Sequence, residues 1–258
     1  VNPAWQLSPG GWMLDTYVGV LFALGGTMIL GTILLLLPTH YLLPLTLIFL
    51  FNNAFPLLEP ATWGESFSAL QRLTFIPGGD LVLWVNYPIF PWMPLVTLGM
   101  LFGHWLQENK EKAYQRALWI GVSFLLLFFI TRPLGNFWNI RPLPTENWID
   151  FLNAVKYPPS LTFIFMTMGI NLLLLWAFSK SDKVLAPLIV FGKTPLFFYI
   201  THLYLYAALG YWLAPEGTSI IKMLPFWLLG LIILYPLCLC YAKIYPKNAL
   251  DTVLRKLL

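Results

Sequence analysis

Long apolar runs, separated by short polar stretches, dominate the chain. A membrane-spanning helix needs about 20 mostly apolar residues. Seven segments reach or approach that length: residues 13–37, 41–58, 91–107, 115–132, 159–179, 185–213 and 219–243. The second contains Asn52, Asn53 and Pro56, and it is the weakest of them. The pattern predicts an all-α, polytopic transmembrane helix bundle of about seven membrane helices, with residues 1–258 forming a single integral membrane domain.

The composition agrees with this pattern. Of 258 residues, 59% are hydrophobic and 10% are charged, and the mean hydropathy is +0.72. Soluble domains carry about 25% charged residues. The net charge of +4 is small and spread along the chain, so we expect membrane lipids as partners and no nucleic acid. Cys238 and Cys240 stand two apart and point to different sides of a helix, so they predict neither a disulfide nor a metal site.

The positions of Lys and Arg predict the orientation, because cytoplasmic loops carry an excess of these residues. With the N-terminus outside, nine lie on the inner side, five on the outer side and one, Lys193, within a helix. We therefore expect a multi-pass inner-membrane protein with a periplasmic N-terminus and a cytoplasmic C-terminus. An outside N-terminus without a signal peptide would be natural if an odd number of helices preceded Val1.

Two long connections then lie on the outer side, residues 59–90 and 133–158. Loops of this length in a compact protein are usually functional or fold against the helix ends. In the second of them, Ile149, Leu152 and Val155 follow a helical spacing. They predict a short helix on the membrane surface, which the prolines of the sequence KYPP would end.

The most polar membrane segment is FGKTPLFFYITHLYLY. On a helix, Pro195, Tyr199, His202 and Tyr206 share one face, and such a face is expected to look into the protein or into a wet cavity. Lys193, near the inner end, either extends back to the cytoplasmic headgroups or holds an anionic ligand. His202 is about 13 Å further along the helix. It is either a general base or substrate hydrogen-bonder, or a histidine packed against a neighbouring helix.

Two other predicted helices carry stripes of small or polar residues. On the fifth, the stripe is Ser160, Ile164, Thr167 and Asn171. On the first, it is Gly19, Ala23 and Gly26. Small residues let helices approach closely, and polar ones bond across helices in membranes. We expect helix packing from both stripes, with lining of a cavity as the alternative for the fifth helix.

Several short motifs carry a family resemblance. They are KYPPS at 156–160, MTMG at 166–169, FG at 191–192, PLFFY at 195–199 followed by His202, and the pairs YP, PW and LG at 87–88, 91–92 and 98–99. With the run GVLFALGGTMI, these motifs span nearly the whole chain. They resemble the C-terminal part of a bacterial multi-pass membrane family related to heparan-alpha-glucosaminide N-acetyltransferase.

The resemblance implies acyl transfer across a membrane. Acyl-coenzyme A would be the co-substrate on the cytosolic side, with no metal, and the acceptor, such as a sugar amine, would lie on the far side. Lys193 near the inner side and His202 nearer the outer side would suit such a path, so His202 is the candidate catalytic residue. The substrate-binding residues that the resemblance implies are Lys156, Tyr157, Lys193, Thr194 and Tyr199. Family members begin with further helices that carry an Arg-Gly and an Asp-His pattern and the catalytic histidine of the acetyltransferase, and nothing in this sequence matches that region.

Three functions remain open at this point. The first is an acyltransferase-like membrane enzyme, completed by a chain that supplies the further N-terminal helices. The second is a non-catalytic structural or accessory subunit of a larger membrane complex. The third, a small-solute transporter, is the weakest, because acidic residues are nearly absent from the predicted membrane segments and a proton relay needs them.

Overall fold

The computed structural model describes residues 2–8, 11–52, 67–80, 82–135, 138–141, 147–180 and 186–244. The chain forms two compact units, Val1–Ser179 and Lys180–Leu258. The described residues are predominantly helical, which confirms the all-α prediction. The single membrane domain over residues 1–258 stays a prediction.

The first unit combines helices with a small sheet. Its helices are α1 (Val20–Leu34), α2 (Leu42–Asn52), α3 (Ala69–Thr74), α4 (Met93–Glu108), α5 (Lys110–Thr131), α6 (Trp148–Leu152) and α7 (Leu161–Phe178). Its strands are β1 (Asn2–Ser8), β2 (Gly11–Val18), β3 (Gly78–Gly79) and β4 (Leu83–Val85). The second unit contains α8 (Ala186–Lys193), α9 (Pro195–Leu213) and α10 (Ile220–Ile244).

The sheet was not predicted, and it shortens the first predicted span. The strand order is β1-β2-β4-β3, with β1 and β2 antiparallel and β2 and β4 parallel. The N–H of Thr16 donates to the carbonyl of Val82, and the N–H of Asn86 donates to that of Val18, both at 3.0 Å. The predicted helix over 13–37 is therefore wrong at its start. Residues up to Val18 form β2, in which Thr16–Val18 pair with β4. The helix α1 begins only at Val20.

Four helices of the described part are long and apolar enough to cross a membrane. They are Lys110–Leu134, Leu161–Phe178, Pro195–Leu213 and Ile221–Ile244. Val20–Leu34 and Thr39–Phe51 are apolar but shorter. α4 has 16 residues, which is about 24 Å of helix against roughly 30 Å of hydrocarbon. The chain is a membrane protein by these features. The number of seven spans is not confirmed, and the end of the predicted span 41–58 lies outside the described residues.

Glycines set the packing of α5 against α7, the most extensive helix contact of the first unit. A Cβ on Gly169 would lie 2.8 Å from Cδ2 of Leu125, and one on Gly121 would lie 3.1 Å from the carbonyl oxygen of Gly169. A larger side chain at either position would therefore require the neighbouring atoms to move. Small residues at such positions let two membrane helices approach closely. Phe128 on α5 and Ile164 on α7 are buried in the same cluster.

The two predicted stripes have different outcomes. On α1, Ala23 is buried and a Cβ on Gly26 would lie 2.5 Å from Cδ1 of Ile89, so the close approach at Gly26 comes from the segment that precedes α4 and not from a helix. On α7, the polar stripe does not join helices. Thr167 donates to a carbonyl of its own helix, and Asn171 is exposed. The hydroxyls of a membrane helix can satisfy themselves on the preceding turn, so polar spacing alone does not identify an interhelical bond.

Candidate functional site

A buried arginine fixes the segment that precedes Lys156 and Tyr157. Arg132 is 1% exposed. Its guanidinium donates to the carbonyls of Asp150, Phe151 and Asn153 at 2.7, 2.8 and 3.0 Å. The last carbonyls of a helix have no intrahelical partner, and Arg132 supplies one at the end of α6. A short helix is therefore present in this connection, but it ends at Leu152 instead of continuing to the prolines, and its place on the membrane surface stays a prediction.

Lys156 and Tyr157 come together with two other aromatic residues. The hydroxyl of Tyr87 donates to that of Tyr157 at 3.1 Å, and the two rings lie 5.0 Å apart at 75°. Tyr87 also stacks on Trp92 at 5.3 Å. The Nζ of Lys156 lies 5.1 Å from the centre of the Tyr157 ring, within the range of a cation–π contact. The hydrogen bond from Tyr87 lowers the pKa of Tyr157; burial opposes this shift, and Lys156 adds to it.

The predicted sixth span is two helices instead of one. α8 ends at Lys193 and α9 begins at Pro195, with Thr194 between them at φ −130° and ψ 46°. Proline has no N–H and cannot continue the helical ladder, which explains the position of the break. Thr194 is 4% exposed, and its hydroxyl donates to the carbonyl of Val190 at 3.1 Å. Its side chain therefore does not cap α9, whose first N–H groups begin beside the exposed Lys193.

His202 is held by its own helix. Its Nδ1 lies 3.0 Å from the carbonyl oxygen of Phe198, and because a carbonyl only accepts, we assign the proton to Nδ1. In the neutral ring, Nε2 is then the acceptor. The ring stacks on Phe198 at 5.5 Å and 10°, and it lies 5.4 Å from Tyr199. Packing and the Nδ1 bond together fix the orientation of the imidazole.

The predicted face of α9 is assembled only in part. The rings of His202 and Tyr206 lie 6.4 Å apart, and with Tyr199 they are half-buried, whereas Pro195 is exposed. α9 has no fully buried residue among those described. Of the substrate-binding residues that the resemblance implies, Tyr199 contacts His202, and Lys193 and Thr194 lie together at the start of α9. Lys156 and Tyr157 belong to the first unit.

The sequence does not predict the contact that Tyr206, on α9, makes with α10. Its hydroxyl donates to the carbonyl of Trp227 at 2.7 Å, and its ring occupies the space where a Cβ on Gly230 would be, 2.3 Å from the nearest ring carbon. Beside this contact lies a cavity of about 450 Å³. A glycine inside an apolar helix is the sequence signal that could have indicated such a close approach.

No part of the described chain offers a metal site. No group of three or more His, Cys, Asp or Glu side chains is placed to hold an ion within the described residues. Cys238 is buried and Cys240 is exposed, and both are free thiols, as their spacing predicts.

Comparison of the chain with protein-family models, with curated protein sequences and with solved structures gave no match in any of the three. The likeness to the acetyltransferase family therefore stays a prediction that rests on the short motifs.

Proposed function

We propose that the chain acts as an acyltransferase-like integral membrane protein, which moves an acyl group from cytosolic acyl-coenzyme A to an acceptor on the far side of a bacterial inner membrane. The observation that carries this proposal is the state of His202. Its Nδ1 is tied to a carbonyl, so Nε2 remains as a fixed acceptor. A base that is oriented through its second nitrogen is the arrangement that general-base catalysis uses.

The proposed step transfers one acyl group and one proton. The nitrogen or oxygen of the acceptor attacks the carbonyl carbon of the thioester while Nε2 of His202 takes the acceptor's proton. The bond between the carbonyl carbon and sulfur then breaks, and the departing thiolate takes the proton back from the imidazolium. The histidine returns to its neutral form, and the products are the acylated acceptor and free coenzyme A.

Lys193 and the start of α9 suit the phosphates of the donor. Lys193 is exposed, and the adjacent helix N-terminus has no side-chain cap. A helix N-terminus with a neighbouring ammonium group favours phosphate. From Pro195, His202 is about 10 Å further along α9, so the phosphates would lie on the cytosolic side of the base. This arrangement matches the orientation that the distribution of Lys and Arg predicts.

Lys156 and Tyr157 belong to the first unit, and we propose that they bind substrate hydroxyl groups there. Tyr157 accepts a hydrogen bond from Tyr87, so its own hydroxyl hydrogen remains to be donated. The predicted topology puts both residues on the outer side, where the acceptor arrives. A phenol and an ammonium group suit hydroxyl groups of a sugar-like acceptor.

The test is acyl transfer in reconstituted vesicles with radiolabelled acetyl-coenzyme A and an amino sugar. His202→Asn keeps an N–H at the Nδ1 position but has no Nε2, and we expect its turnover to fall by about 10²- to 10⁴-fold. The exposed His40 provides the matched control, because His40→Asn should keep wild-type turnover. If His202→Asn retains full turnover, His202 is not the base, and the proposal loses the observation that carries it.

The alternative is a non-catalytic subunit of a larger membrane complex, with a partner chain that covers the helices of the second unit. The exposed apolar side chains of α9 favour it, since Tyr204 and Tyr211 are 75% and 77% exposed. Such aromatic side chains suit either lipid headgroups or another helix. A native mass measurement in detergent separates the two readings, because a lone chain that transfers acyl groups contradicts the subunit role.

A further inference from the structure

The cavity beside Tyr206 has the size and lining of a hydrocarbon site. Its volume is about 450 Å³. Among the residues that line it are Tyr206, Leu209, Gly210, Met223, Phe226 and Trp227. Small-molecule sites typically have about 300–1,000 Å³ and a mostly apolar, aromatic lining. The whole lining belongs to the second unit, to α9, α10 and the turn that joins them.

The space is a half-open groove, since Met223 and Trp227 in its lining are both 47% exposed. Its apolar surface favours contact with hydrocarbon over contact with water. None of the described residues of this lining is charged. Its side-chain polar groups are the hydroxyls of Tyr206 and Thr218 and the indole N–H of Trp227, and the hydroxyl of Tyr206 is already bonded to α10. A hydrocarbon group would fill the apolar part of the space without disturbing the hydrogen bond of Tyr206.

The cavity adjoins the proposed catalytic face through Tyr206. Tyr206 lines the cavity and contacts the ring of His202, which lies one helical turn earlier on α9. We propose that the cavity binds the hydrocarbon part of the acyl acceptor, an amphiphilic amine or alcohol whose reacting group then lies at His202. This assignment rests on the proposed acyl transfer, and it changes the expected acceptor from a free, water-soluble sugar to a molecule that carries an alkyl or prenyl chain.

Photolabelling tests the binding site without any need for activity. The full chain is placed in phospholipid nanodiscs with a long-chain primary alcohol that carries a diazirine on its alkyl chain, and the labelled residues are mapped by mass spectrometry. We expect the label on Met223 and Phe226, with little on Leu224 and Leu228. These last two lie on the same helix and are as exposed as Met223, at 48% and 51% against 47%, but they do not line the cavity, so they report how much ordinary lipid contact contributes.

Two glycines form a matched pair of variants. A Cβ on Gly210 or on Gly25 meets nothing within 4 Å, so a larger side chain is tolerated at both, but only Gly210 lines the cavity. Gly210→Leu should reduce labelling of the cavity residues about tenfold or more, since one methylene group already changes binding in an apolar pocket by that factor. Gly25→Leu should leave it unchanged. Even labelling of cavity and lipid-facing residues, or labelling that Gly210→Leu does not reduce, overturns the site.

Kinetics then decide whether the bound molecule is the acceptor. With a long-chain acceptor, Gly210→Leu should raise KM about tenfold, while kcat/KM for a short, water-soluble amine stays at the wild-type value. An equal effect on both acceptors overturns the assignment of the cavity to the acceptor's chain. If labelling is specific but the wild-type chain acylates no acceptor at all, the acyl-transfer proposal and the acceptor assignment fall, whereas the hydrocarbon site stands.

Discussion

Arg132 should be the residue of the first unit whose replacement costs most. Four acceptors face its buried guanidinium. They are the carbonyls of Asp150, Phe151 and Asn153 and, at 2.8 Å, the Oδ1 of Asn139. Asn139 is itself 0% exposed, and its amide nitrogen donates back to the carbonyls of Thr131 and Arg132. Arg132→Met keeps much of the apolar stem and removes every donor.

The expected loss in the free energy of unfolding follows from the acceptors that remain buried in Arg132→Met. Each buried acceptor without a partner costs about 1–3 kcal/mol. The Oδ1 of Asn139 is the least able to reach water, since its bond to Arg132 is buried, whereas the bonds to the three carbonyls are partly buried. Together with the lost packing of the stem, we expect a loss of about 3–5 kcal/mol. Arg132→Lys keeps the charge but offers one donor group instead of a fork, so its cost should be intermediate.

Equilibrium unfolding in mixed micelles measures this difference. Arg116→Met provides the control, because Arg116 has 45% of its side chain exposed and lies 3.6 Å from Glu108; such an exposed pair contributes about 0–1 kcal/mol. Hydrogen exchange should also show faster exchange of the α6 amides in Arg132→Met. If Arg132→Met loses no more stability than Arg116→Met, the reasoning about buried acceptors is wrong.

Two further predictions concern close contacts. Gly230→Ala should destabilise the second unit by about 1–3 kcal/mol in the same unfolding assay, because its Cβ would overlap the ring of Tyr206, whereas Gly210→Ala should be nearly neutral; equal costs would contradict the overlap. Tyr87→Phe should raise the pKa of Tyr157 in a spectrophotometric titration of its phenol, read as the difference from Tyr157→Phe. A lowered pKa in the folded state contributes stability only at high pH. Wild type and Tyr87→Phe should therefore differ more in stability as the pH rises toward about 10. A difference that does not change with pH would show that the hydrogen bond from Tyr87 does not lower the pKa of Tyr157.

The helices of this chain were predictable because their signal is local. An apolar run of sufficient length forces the backbone to satisfy its own hydrogen bonds. α7 lies within its predicted segment, α5 begins five residues before its segment, and α10 ends one residue after its segment. The close approach at Gly26 was equally readable, since small residues recur on one face of α1. A close approach of this kind can be predicted without knowing which part of the chain packs against the helix.

The features that the sequence did not reveal depend on distant partners. β2 forms because its backbone meets β4, and hydropathy does not encode that pairing. From the sequence, Arg132 is only one of the five basic residues expected on the outer side. Its burial depends on the carbonyls at the end of α6, which the sequence does not place beside it. Tyr206 was recognised as part of a polar face, but its role comes from the missing side chain of Gly230 on another helix.

The break between α8 and α9 at Thr194 depends both on the local sequence and on distant contacts. Non-helical backbone at membrane depth is tolerated only where protein or a cavity surrounds it, and the burial of Thr194 fits this rule. A continuous helix over 185–213 would have used the first N–H groups of α9 in its own ladder. The break instead leaves them beside Lys193, and α8 and α9 both contact α10, which also carries the cavity side chain of Trp227. An uncapped helix start beside Lys193, the oriented imidazole of His202 and an apolar cavity thus follow one another along one unit, and under the proposed function they would serve the cytosolic donor, the base and the acceptor in that order.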